Sequence, residues 1–64
     1  MNREQLLSMD SSMLLSIINM KLRDSFSSLE FLCEDYDLTS EEVNSKLNSI
    51  GYVYNPNSNQ FISE

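Results

Sequence analysis

Apolar residues recur with helical spacing up to about residue 50 of this chain and with strand spacing after it. The clearest stretch lies in the middle. Leu29, Leu32, Cys33 and Tyr36 fall at i, i+3, i+4 and i+7, one buried stripe of a helix, and Val43, Leu47 and Ile50 form a second. Each stripe follows a start signal. Ser27-x-x-Glu30 is a capping box, in which the serine hydroxyl accepts from the backbone N–H three residues on and the glutamate reaches back; Phe26 and Phe31 stand at the hydrophobic-staple positions. Thr39-x-x-Glu42 repeats the box, with Leu38 and Val43 as the staple. Gly51 can stop the second helix in the left-handed conformation, with Tyr52 packing back on Leu47 as in a Schellman ending. The pattern predicts helices over 27–36 and 39–50.

Ahead of these, Asp10 is the best N-cap for a helix over 10–24, and Met9 with Leu14 can staple its entry. At 100° per residue, Ser12, Ser16, Asn19 and Arg23 share a narrow polar strip, and apolar residues cover an arc of roughly 220°. So wide an arc predicts either a central helix touched from two sides, or a rim at Met13 and Met20 that meets another molecule. Lys21 falls near the middle of the arc; its methylene stem can pack while the ammonium snorkels out at the helix C-terminus, where positive charge is favoured. Residues 1–9 read as an arm or turn docked through its leucines, with Asn2-x-x-Gln5 a weak capping-box match. After Gly51, Tyr52-Val53-Tyr54 alternates as a strand, Asn55-Pro56-Asn57-Ser58 is turn chemistry, and Gln60-Phe61-Ile62 can return, giving a hairpin over 52–62.

The predicted fold class is α+β, mostly α: three main helices with a helix-turn-helix-like core, then a C-terminal β-hairpin, in one small domain, 1–64. Leu32 to Val43 has helix-turn-helix spacing. Cys33 is the small residue where the helices approach, and Leu38 is the apolar residue of the turn. Asp37 departs from the pattern, because a left-handed glycine is usual there and aspartate adopts that conformation at a cost. The order of elements is that of a minimal winged helix.

Composition narrows the chemistry. The chain has 64 residues and no His, and its one cysteine, Cys33, excludes an internal disulfide framework. Without His, a zinc site of the usual type within one chain is excluded as well. No apolar run approaches the ~20 residues that span a bilayer. No signal-peptide core follows Met1-Asn2-Arg3-Glu4, and the free thiol suits a reducing setting, so the expected location is cytoplasmic. The net charge is −6. It is concentrated: Glu30, Glu34, Asp35, Asp37, Glu41 and Glu42 lie in a stretch without a basic residue. Such a surface repels phosphate backbones and anionic membranes, and suits solubility or a basic partner.

The whole chain also resembles a family of short bacterial proteins known as an uncharacterised domain of unknown function. The resemblance rests on the run from Met13 through Lys21-Leu22-Arg23-Asp24 and on Ser27-Ser28-Leu29-Glu30. It continues through Lys46-Leu47-Asn48-Ser49-Ile50-Gly51-Tyr52, Tyr54-Asn55 and Asn59-Gln60-Phe61. It implies a stand-alone bacterial domain and supplies no activity, cofactor or catalytic residue.

A DNA-binding reading puts the second helix of the pair in the major groove with Ser40, Asn44, Ser45 and Asn48 as reading residues, beside Glu41. Against it, duplex affinity comes mainly from neutralised phosphates, and the chain has four basic residues, of which Lys46 alone is on that helix. Asp35-x-Asp37-x-Thr39 with Glu41 resembles a calcium loop in part, but lacks the turn glycine and has Lys46 where the bidentate glutamate belongs. Cys33 sits on the inner stripe and reads as a small buried hydrophobe. Tyr52, Tyr54 and Phe61 could stack on single-stranded nucleic acid, though aromatics so spaced more often cover a small core. Nothing in the sequence pairs a nucleophile with a base or cradles a phosphate. The expectation is therefore a non-enzyme with no cofactor and no metal. It is a protein-interaction module whose acidic surface (Glu30, Glu34, Asp35, Asp37, Glu41 and Glu42) meets an unidentified protein, or which associates with itself. A small winged-helix-like DNA-binding or transcription-associated protein is the alternative.

Overall fold

In the computed structural model, which describes residues 2–64, four helices precede a two-stranded antiparallel hairpin. They are α1 (Arg3–Ser8), α2 (Ser11–Asp24), α3 (Leu29–Asp35), α4 (Ser40–Asn48), β1 (Tyr52–Asn55) and β2 (Gln60–Ser63). The fold class expected from the sequence is the one observed. The N-terminal arm is a true helix: Asn2 and Gln5 form a reciprocal capping box, and Leu6 is fully buried. Six residues would not hold a helix alone, so α1 depends on its packing against α4.

The core is a single apolar cluster with no buried polar side chain among the described residues. Leu14, Ile18 and Leu22 run down one side of α2. Leu29, Leu32 and Cys33 come from α3, Leu38 from the turn, and Val43 and Leu47 from α4. Phe61 closes the cluster from the hairpin. Helix α2 packs against α3, α4 and β2 and is thus the central element. Its broad apolar arc is used from several sides, yet Met13 and Met20 remain exposed at the rim.

Local chemistry sets the boundaries. Asp10 accepts from the N–H groups of Ser12 (3.1 Å) and Met13 (3.4 Å) and caps α2 as expected. The α3 box is corrected by one residue. Ser28, not Ser27, is the N-cap and accepts from Phe31 N–H at 3.2 Å, which leaves Glu30 out of box register. Phe31 is 56% exposed and so cannot staple.

The Schellman ending expected at Gly51 occurs instead at the end of α3. Leu38 N–H donates to Cys33 carbonyl (2.8 Å) and Asp37 N–H to Glu34 carbonyl (3.4 Å), with Asp37 left-handed at φ 58°. The apolar contact that accompanies such endings is supplied here by Leu38 and Cys33, both buried. Helix α4 closes by tighter i→i+3 bonds, from Ile50 to Leu47 (3.2 Å) and from Gly51 to Asn48 (3.0 Å). That tightening ends the stripe early and turns Ile50 out to 38% exposure. Gly51 has φ 83°, and a side chain there would meet nothing within 4 Å, so its requirement is conformational and not steric.

A lone two-stranded hairpin is marginal in water. Two asparagines tie this one to the helices. Asn19 of α2 accepts from Phe61 N–H at 2.7 Å and donates to Phe61 carbonyl at 3.1 Å, so its amide occupies the outer edge of β2 as a neighbouring strand would. Asn59, left-handed at φ 53°, donates to the carbonyls of Leu22 (3.1 Å) and Phe26 (2.9 Å). It accepts from the Tyr54 hydroxyl at 2.6 Å. One of those acceptors, Leu22, lies in the last turn of α2, where carbonyls lack helical partners.

Asn19→Ala leaves both polar groups of Phe61 without their partner and should cost about 2 kcal/mol. Asn19→Asp, which keeps the acceptor but sets a carboxylate against a carbonyl, should cost more; urea midpoints at unchanged slope give both values. Asp37→Gly removes the strain of a left-handed side chain and a negative charge from a helix C-terminus, and should raise stability by about 0.5–1 kcal/mol in the same measurement.

Candidate interaction surface

The six carboxylates singled out in the sequence do not share one role. Glu30, Glu34, Asp35, Asp37 and Glu41 are exposed and form no ion pair within hydrogen-bonding distance among the described residues. They lie on α3, the turn and the first turn of α4. Glu42 is different. It closes the Thr39 capping box, accepting from Thr39 N–H at 3.0 Å, and takes both guanidinium arms of Arg3 at 2.6 and 2.5 Å. Arg3 also donates to the Asp37 carbonyl at 3.2 Å, so one side chain ties α1 to the left-handed turn and to the start of α4. The Arg3 fork, then the Thr39 N–H, hold the Glu42 carboxyl well below the usual range, at about 2. Glu42 is therefore a structural residue, and the acidic surface has five members.

The proposed reading residues for DNA are divided by the structure. Ser45 and Asn48 are exposed on α4. Ser40 and Asn44 are half-buried and line a groove of about 330 Å³ with Ser28, Leu29, Glu30, Tyr54 and Pro56. The cations are largely committed. Arg3 is held by Glu42, Arg23 pairs with its neighbour Asp24 at 2.9 Å, and the Lys21 ammonium lies 5.2 Å from the centre of the Tyr36 ring. Lys21 is half-buried, with stem packed and head on an aromatic face, as its place in the apolar arc suggested.

Cys33 is buried, and burial pushes its thiol up, with the Ser40 hydroxyl acting the other way. A protonated, buried thiol is a poor nucleophile. The Tyr54 and Phe61 rings pack 5.5 Å apart at a tilt of 53°, with Phe61 in the core and the Tyr54 hydroxyl occupied by Asn59, so they are not an open platform for bases. Among the described residues no group of three or more thiol or carboxylate side chains is placed to hold a metal ion. None of the helices is long and apolar enough to cross a membrane.

A sequence profile described as a domain of unknown function, DUF4250, matches residues 8–61. The chain belongs to that family. The DUF4250 match runs from the last residue of α1 to Phe61, and includes both clamping asparagines and all five free carboxylates. Arg3 lies outside it, so the ion pair with Glu42 joins the matched region to the helix ahead of it. Neither the curated proteins nor the solved structures include a match to the chain.

Three residues that matter here carried little signal in the sequence. Asn19 lies on a polar strip that reads as solvent-facing, Asn59 follows the Asn55–Ser58 turn with no pattern of its own, and Arg3 stands in an arm 39 residues from its partner. Only the exceptional capacity of an amide to give and accept at once could have marked the first two.

The Arg3–Glu42 pair sets a pH dependence. The folded-state value of Glu42 lies below its ordinary value of 4.5, so the contact stabilises fully above that pH and is lost as pH falls through about 2. The urea midpoints of the parent and of Arg3→Gln should therefore differ by a constant amount from neutrality down to about pH 5 and converge near pH 2. A gap that persists at the acid end would contradict this assignment.

Proposed function

We propose that this chain is a non-catalytic protein-interaction module that offers the outer face of α3 and α4 to a basic partner. The observation that carries the reading is the set of five exposed carboxylates, Glu30, Glu34, Asp35, Asp37 and Glu41, with no ion-pair partner among the described residues, in a chain of net charge −6. The fold makes no use of these side chains as partners. Helices α3 and α4 start and stop through Ser28, Thr39, Glu42 and backbone bonds. Charges that the fold leaves free are available for a partner, and an uncompensated field of one sign speeds encounter with the opposite sign.

The element order keeps the winged-helix-like, transcription-associated reading as the rival, since Ser45 and Asn48 are exposed on α4. Electrostatics opposes it. Glu41 and Glu42 occupy the first turn of the would-be recognition helix, where the helix dipole would otherwise favour a phosphate, and three of the four basic side chains are already engaged.

Affinity capture from native lysate separates the two when it compares the parent with a Glu30→Lys, Glu34→Lys, Glu41→Lys variant of unchanged circular dichroism. A partner held by the parent, released by salt and lost from the variant is the expected result. A protein that is monomeric by light scattering and retains no reproducible partner would count against the proposal. Salt-sensitive mobility shifts of pooled random duplexes at low ionic strength would instead favour the rival.

A further inference from the structure

The two outer edges of the hairpin are not equivalent. In an antiparallel pair, successive residues direct their backbone N–H and C=O groups alternately toward the partner strand and away from it. Phe61 directs both of its groups away from β1, because both are bonded to Asn19. Its register partner is Tyr54, and the next such pair is Tyr52 with Ser63. Tyr54 and Tyr52 must then direct their own N–H and C=O groups outward from β1. No side chain or backbone group among the described residues bonds to them. Tyr52 and Tyr54 are half-buried, and these backbone groups are left for water or an added strand to satisfy. The edge of β2 is closed at Phe61 by an amide from α2, and the edge of β1 has no such partner and offers a template for a further strand.

That edge ends at Tyr54 and Pro56, which form one wall of the groove of about 330 Å³; the start of α3 and the first turns of α4 form the others. Leu29, itself nearly fully buried, lines it, Ser40 and Asn44 give it polar atoms, and Glu30 lines it without an ion-pair partner. No basic side chain lines it. The volume suits one or two side chains of a strand lying beside β1.

We infer that β1 and this groove take a basic, extended peptide segment by strand addition. The peptide backbone bonds to Tyr52 and Tyr54, an apolar side chain rests over Leu29 and Tyr54, and a lysine or arginine lies beside Glu30. Charge selects this occupant over a second copy of the chain. Edge-to-edge pairing of two copies would bring together two chains each of net charge −6, each with Glu30 beside the edge. The inference rests on the interaction-module reading and specifies where and how the partner binds.

The probe is a capped hexapeptide alternating lysine and valine, titrated into the isotopically labelled full chain and followed by amide shifts and hydrogen exchange. Its companions are a glutamate–valine version and two N-methylated forms, methylated on odd or on even residues. The expected result is slowed exchange at the Tyr52 and Tyr54 amides, severalfold weaker binding for Glu30→Gln, and no binding of the acidic peptide. One N-methylated form should bind like the parent and the other should fail, because only alternate amides of an added strand face β1. Absence of binding by the basic peptide overturns the inference. So does binding that tolerates both methylation patterns. Shifts confined to Glu34, Asp35 and Glu41, without protection at the tyrosines, would overturn strand addition while leaving the broader acidic-surface reading in place. Concentration-dependent protection of the same amides without peptide would assign the edge to a second copy.

Discussion

The structure depends on two primary amides. A hairpin of two four-residue strands buries one large side chain, Phe61, too little to hold itself in place. Asn19 supplies the missing edge partner of β2 from the side of a helix, and Asn59 returns the favour from the loop, closing the exposed carbonyl of Leu22 and that of Phe26. Tyr54 extends the second contact, donating to Asn59 and lying 3.4 Å from the N–H of Leu29 at the start of α3. The end of α2, the link to α3 and the hairpin are therefore one hydrogen-bonded unit. Only then is Phe61 positioned to cover the α2–α4 core. Neither amide can be replaced by a carboxylate of the same shape, since each both donates and accepts.

Asn59 also shows how two demands can meet at one residue. The loop needs a left-handed backbone there, which glycine would supply at no steric cost, and the network needs an amide, which glycine lacks. Asparagine tolerates the first and provides the second. Asp37 meets a similar pair of demands less well. The Schellman ending of α3 requires the left-handed conformation, and no hydrogen bond from the Asp37 side chain compensates; the Arg3 contact there is to its carbonyl, which any residue would provide.

Much of the fold was legible because its signals are local. The capping box at Thr39, the Asp10 cap, the left-handed Asp37 and Gly51, and the i, i+3, i+4 stripes are set by residues within one turn of each other. Failures arose where local signals tied or where the partner was distant. Ser27 and Ser28 are adjacent and chemically identical, and the glutamate spacing favours the wrong one; with Ser28 as the cap, Phe31 falls at the third helical position and is exposed. Ile50 continued a helical stripe that the tightened end of α4 cut short. Asn19 and Arg3 act 42 and 39 residues away in sequence, beyond any periodicity argument. The surface was half legible: the acidic stretch was evident from composition, but its division into one structural glutamate and five free carboxylates needed the position of Arg3.

That division bears on how such a small chain can have a function at all. Nearly every strongly polar feature near the core is consumed by folding: both asparagines, the Thr39 box, the Arg3 fork, the Lys21 contact with Tyr36. A helix-turn-helix pair stabilised in this way has an N-terminus on α4 already neutralised by Glu42 and occupied by α1. The same contacts that hold the pair together thus remove the positive helix end that a phosphate would seek. What the fold leaves unspent are carboxylates on one side and the backbone edge of β1 on the other, with Glu30 at the boundary between them. The carboxylates only accept, while the strand edge both donates and accepts, which is why the proposed partner is a cationic, extended chain and not an anion.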